Sequence, residues 1–212
     1  MLMMILDNIA FAFFEVFLVT LVIHRLLAVR EKKVLMRKLN MVIGTFFVEV
    51  GTDLARLCAG FDSGHGEIAK KLSTISSLSE RDFDRLIKAM RLRANNVDYA
   101  CGDIASMRDI LAAKREFLVS LLANPILLEH ESFTDLLWAT FHLADELAHR
   151  KDLAALSQPD KNHIAGDINR VYGLVIGEWL AYMQHLKTAY PYLFSLALRT
   201  NPFDAAATAE VS

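Results

Sequence analysis

From Met1 to Ile23 the chain reads MLMMILDNIAFAFFEVFLVTLVI, an apolar run broken only by Asp7, Asn8, Glu15 and Thr20; after His24 and Arg25 it resumes over Leu26 to Val29. An α-helix rises about 1.5 Å per residue, so about 20 residues cross the ~30 Å hydrocarbon layer of a bilayer. Ile9 to Val29 therefore predicts one transmembrane helix, with Arg25 snorkelling towards the headgroups. No Lys or Arg precedes the run and no small-residue cleavage pattern follows it, so the segment is expected to be kept as an anchor rather than removed as a signal peptide. Arg25, Arg30, Lys32, Lys33, Arg37 and Lys38 come directly after it. By the positive-inside rule the N-terminus is expected outside the inner (cytoplasmic) membrane and the rest of the chain in the cytoplasm. The same six cations suit anionic lipid headgroups, at roughly 1 kcal/mol each near the surface.

Glu15 is the anomaly in this run. A carboxylate charged and alone at mid-bilayer costs a few kcal/mol, so it calls for a protein environment or a shallower helix. Packing of the helix against copies of itself supplies that environment, with Thr20 or backbone of a neighbouring copy as the partner, and predicts a homo-oligomer. A small channel lined by Glu15 and His24 is a second arrangement of the same residues. A soluble core helix accounts less well for the dense cationic flank.

The 212 residues are 54% hydrophobic, above the usual 45–50%, with a formal net charge of −2. So slight a charge gives no field to attract nucleic acid, which is not expected as a partner. Cys58 and Cys101 fit no metal-ligand spacing and are read as reduced thiols. Nine Gly and four Pro among abundant Leu and Ala point to an all-α chain. The expected organisation is an anchor over 1–30, a cytoplasmic bundle of about five helices over 31–203, and a tail over 204–212.

Apolar residues at Leu39, Val42, Ile43, Phe46, Phe47, Val50, Leu54 and Leu57 have helical spacing and continue from the span with a brief break. Gly60, Gly64 and Gly66 read as a stop and a loop. Ser79, three residues ahead of Asp82, is a helix N-cap signal for a segment whose outer face carries Arg81, Arg85, Lys88, Arg91 and Arg93. Further helices are expected over about Asp103 to Ala123, from a Ser132 cap to about Arg150, and over about Lys161 to Tyr190, where Pro191 stops the last of them.

KLNMVIGTFFVEVG (Lys38 to Gly51) and YPYLFSLALRTNPF (Tyr190 to Phe203) resemble segments of an uncharacterised group of prokaryotic membrane-anchored helical proteins. The resemblance implies the same layout of span, basic flank and helical domain. It implies no activity.

Phosphate loop, dinucleotide fingerprint, nucleophile elbow and Cys/His zinc pattern are all missing from the sequence. Ser76, Ser77 and Ser79 near His65 make no triad. His142, Glu146 and His149 carry a Glu-x-x-His half-motif of the kind found in di-iron bundles. At 100° per residue, however, they fall on the side opposite Leu136, Thr140, Leu143 and Leu147, which reads as a solvated polar face.

In the last long helix Asp167, Glu178 and His185 stack along one edge of the apolar stripe. Glu178 and His185 are two turns apart, so a shared ion needs donors from another helix, and Glu49 and Asp53 are the natural pair. Glu49, Asp53, Glu178 and His185 thus form the candidate set for Fe, Mn or Zn in a metal-dependent oxidoreductase or metal-handling bundle. The competing reading is a buried ion pair between Glu178 and a neighbouring Arg or Lys. No cofactor is otherwise predicted. The leading functional expectation is a membrane-tethered interaction protein that binds lipid, itself and an unidentified protein partner.

Overall fold

A computed structural model describes residues 2–204 and 206–210, with side chains described over 13–127, 130–204 and 206–210. Side chains 1–12 of the expected anchor, and positions 205, 211 and 212 of the expected tail, lie outside the described residues. Among the described residues the regular secondary structure is all helical, with one isolated antiparallel bridge between Asp62 and Val97. The chain divides into two units, Met1–Leu39 and Asn40–Ser212.

The first unit is the leading part of one long helix, α1 (Leu2–Phe46). Between Phe13 and Val29 its large apolar side chains are all exposed, from 73% at Phe13 to 50% at Val29, and at 100° per residue they point to every side. Among the described residues no helix is long and apolar enough to cross a membrane. Uninterrupted by any cation, Phe13 to Ile23 extends only about 17 Å, against the ~30 Å of a hydrocarbon layer. The expected span begins at Ile9, and side chains 9–12 lie outside the described residues.

In the second unit the polypeptide turns through one π-helical turn, Phe47–Gly51, and continues as α2 (Thr52–Phe61). The Thr52 hydroxyl donates to the Phe47 carbonyl at 2.8 Å, and Gly51 leaves room for two rings: a Cβ there would lie 2.6 Å from Phe46 and Phe47. Of the glycines at 60–66, expected as a stop and a loop, Gly60 lies in the last turn of α2, Gly64 is the residue before a short helix, α3 (His65–Leu72), and Gly66 lies inside that helix. Asp62 makes that corner. Its side chain is wholly buried, pairs with Arg93 at 2.8 Å, and accepts the amides of Gly64 and Asn96.

Ser79 caps α4 (Glu80–Arg91) through the reciprocal Ser79–Asp82 capping box that the sequence predicts. The helix expected over 103–123 is two helices, α5 (Ile104–Ala113) and α6 (Arg115–Leu122), which break at Lys114. α7 (Glu131–Ala148) is capped by His130, whose Nδ1 accepts the Phe133 amide at 3.2 Å, not by Ser132. α8 (Gln158–Ala189) starts a turn earlier than expected, at a Ser157 cap with Pro159 in its first turn. Pro191 then opens α9 (Pro191–Arg199). α8 is the central helix and packs against α2, α4, α7 and α9. Leu136, Leu143 and Leu147 from α7 meet Ile164, Ile168 and Val171 from α8 in a core that excludes water from all six. Phe203 closes the far end against Trp179, with ring centroids 5.2 Å apart.

Candidate functional site

α7 and α8 are joined by a short loop and run antiparallel, so the end of α7 lies against the start of α8. Two polar pairs spaced four residues apart meet there: His142 and Glu146 on α7, and His163 and Asp167 on α8. His142 Nε2 is 3.4 Å from Asp167 Oδ2 and 3.9 Å from Glu146 Oε1. His163 Nε2 is 3.5 Å from Asp167 Oδ2 and 3.6 Å from Glu146 Oε2. The two imidazoles are about half exposed, whereas the Asp167 side chain is only 6% exposed.

Each carboxylate is also held from outside the cluster by an arginine. Arg150 bonds the carboxylate and the backbone carbonyl of Glu146 and reaches Asp160 at 3.5 Å, which ties the two ends of the hairpin together. Its hydrogen bond keeps Glu146 below the usual carboxylate range, with the nearby His163 and His142 adding to the effect. Arg170 lies 3.6 Å from Asp167 Oδ1. Asp167 Oδ2, facing the two imidazoles, is buried without a hydrogen-bond partner. A shallow groove lined by Asp135, Trp138, Ala139, Arg170 and Leu174 opens beside His142.

The candidate metal set Glu49, Asp53, Glu178 and His185 is not brought together, because each member has its own partner. Glu49 pairs with Lys114 and Asp53 with Arg56, both at 2.8 Å. Glu178, 2% exposed, pairs with Arg91 at 2.7 Å, which is the competing ion-pair reading of that residue. His185 Nδ1 lies 3.2 Å from the side-chain Nδ2 of Asn40. Burial lowers its pKa from the ordinary histidine value. Among the described residues, the metal-like grouping of ligand atoms is His142, His163 and Asp167.

Periodicity puts Asp167 at the buried edge of α8, and His142, half exposed, lies on the solvated side expected of it, whereas Glu146 is only 26% exposed and turns towards the cluster. His149 turns away and bonds the Asp145 carbonyl of its own helix end. His163 was missed altogether, since an expected start at Lys161 leaves it in a fraying turn. The available signal was two His-x-x-x-acid pairs flanking one short loop.

Elsewhere, Arg91 and Arg93 of the basic segment turn to buried carboxylates. Burial pushes the Cys58 thiol upward, away from the reactive thiolate, while Cys101 is exposed. Glu15 and His24 are exposed on α1, as are Arg25, Arg30, Lys32, Lys33, Arg37 and Lys38.

Fold and cluster together define an all-helical domain with a mixed imidazole and carboxylate centre in one antiparallel hairpin. Residues 35–199 match the family described as uncharacterized protein MJ1433, C-terminal helical domain, and the chain belongs to that family. It is 45% identical over 197 residues to the uncharacterized protein MJ1433 of Methanocaldococcus jannaschii, covering 93% of this chain and 79% of that protein. Both matches bear out the resemblance to an uncharacterised group read at Lys38 to Gly51 and Tyr190 to Phe203. No solved structure matches the chain.

Proposed function

We propose that this chain is a single-pass, membrane-tethered interaction protein that self-associates through α1 and holds its helical domain on the cytoplasmic face of the inner membrane. The observation that carries this reading is the apolar surface of α1 between Phe13 and Val29. Twelve large apolar side chains there are half or more exposed and lie on all sides of the helix. A helix apolar all round belongs in a core or a bilayer. Taking twelve such groups out of water stabilises by on the order of tens of kcal/mol. The sequence supplies the remaining length from Ile9, and Arg25 reaches the interface by its long stem.

The basic flank supports the orientation. Among the described residues no salt bridge engages any of its six cations, which leaves them for anionic headgroups. Self-association rests on Glu15, a carboxylate within the apolar surface, which packing against another copy of the helix would surround with protein. The test is sedimentation of the full chain in mild detergent across a range of concentrations. A defined oligomer that shifts to monomer in Glu15→Leu is expected; a wild-type monomer throughout, or an assembly unchanged by the substitution, defeats the self-association.

A further inference from the structure

The geometry points to a binding site for a divalent transition metal ion of the zinc class, held by His142, His163 and Asp167 in the α7–α8 hairpin, with Glu146 beside them. The residues involved are distinct from those that carry the membrane reading, so either conclusion stands or falls alone.

Three features converge on one ion. The first is spacing. Nitrogen and oxygen ligands about 2.0–2.1 Å from a tetrahedral zinc ion lie about 3.3 Å from each other. The distances here, 3.4 Å and 3.5 Å from Asp167 Oδ2 to the two imidazole nitrogens, are close to that edge and long for hydrogen bonds. Glu146 continues the pattern at 3.6 Å from His163.

The second feature is the orphaned oxygen. Asp167 Oδ2 is buried, aimed between two imidazoles and without a hydrogen-bond partner. Burial of an unpartnered carboxylate oxygen is costly, and a cation at this point satisfies it. Arg170 on Oδ1 and Arg150 on Glu146 act as orienting partners that fix the carboxylates while leaving Oδ2 directed at the ion.

The third is ligand chemistry and access. Two imidazoles beside carboxylate oxygens suit zinc better than magnesium or calcium. The imidazoles are half exposed and the groove beside His142 and Trp138 reaches solvent, which gives the ion an entry path.

The test uses the full chain in mild detergent without a histidine tag, stripped with a chelator and titrated with zinc chloride alone. Uptake is read by plasma mass spectrometry and calorimetry, and geometry by the visible spectrum after titration with cobalt(II). One equivalent per chain, a tetrahedral cobalt spectrum and loss of both in Asp167→Asn and His163→Gln are expected. Arg150→Ala should weaken binding by about 10–100-fold, and His149→Ala should leave it unchanged. Wild-type protein that takes up no stoichiometric zinc overturns the site, as does full binding by folded Asp167→Asn. If that variant fails to fold by circular dichroism, the half-exposed His142→Gln replaces it, and retained binding there is equally fatal.

Discussion

Arg91 and Glu178 illustrate how much a single buried charge asks of its partner. The Glu178 side chain is 2% exposed and one of its oxygens, Oε2, has no hydrogen-bond partner, so the ion pair to Arg91 at 2.7 Å carries its compensation. Removing the arginine strands a buried carboxylate, and Arg91→Ala should cost about 3 kcal/mol in urea unfolding. Asp53→Ala, at a pair more than half exposed on both sides, should cost less than about 0.5 kcal/mol. His185 sets a second expectation. Its pKa is lowered in the folded chain, so below about pH 6.5 the unfolded chain binds more protons at this residue and its contribution to stability falls. Between about pH 7.5 and 5.5 wild type should lose more stability than His185→Gln in parallel melts, the other histidines being common to both; an equal loss removes His185 as a source of acid sensitivity. At this scale the sequence was partly legible. Periodicity placed Asp167 and Glu178 at the margin of a buried stripe, but their partners arrive from α7 and α4, and one helix's periodicity carries no information about a neighbour's register.

Elements were more legible than contacts, wherever a cap or a proline marks their ends. The Ser79–Asp82 box and Pro191 are local chemistry and gave correct boundaries. α3 was hidden because Gly64 just before it and Gly66 in its first turn made an eight-residue helix look like loop, and the break at Lys114 has no Gly or Pro to announce it. His130 took the cap expected of Ser132 because its ring nitrogen can accept an amide as a hydroxyl does. The π turn at Phe47–Gly51 likewise has no spacing signature, yet it depends on one residue. A Cβ at Gly51 would sit 2.6 Å from two buried rings, so Gly51→Ala should destabilise by about 1–3 kcal/mol, read as a lowered melting temperature. In an exposed straight helix the same change would stabilise instead, so a raised melting temperature would contradict the packing described.

At the scale of the whole chain, two kinds of surface lie along one polypeptide. Residues 13–29 present apolar side chains on every side, and residues 40–204 form a helical domain with its own core. The all-α character of both follows from composition and periodicity alone; the hairpin cluster does not, since it exists only once α7 and α8 are set antiparallel. The central claim is that α1 lodges in a bilayer with the domain on the cytoplasmic side, and Cys101 is a native reporter for it. Cys101 is exposed, whereas Cys58 is buried with its thiol pKa raised. The decisive measurement is labelling of cells expressing the full chain with a membrane-impermeant maleimide, before and after permeabilisation, followed by alkaline carbonate extraction of the membranes. The account predicts a chain that stays in the extracted membrane pellet and is labelled at Cys101 only after permeabilisation. Release of the chain into the carbonate supernatant, or labelling of Cys101 in intact cells, would contradict it.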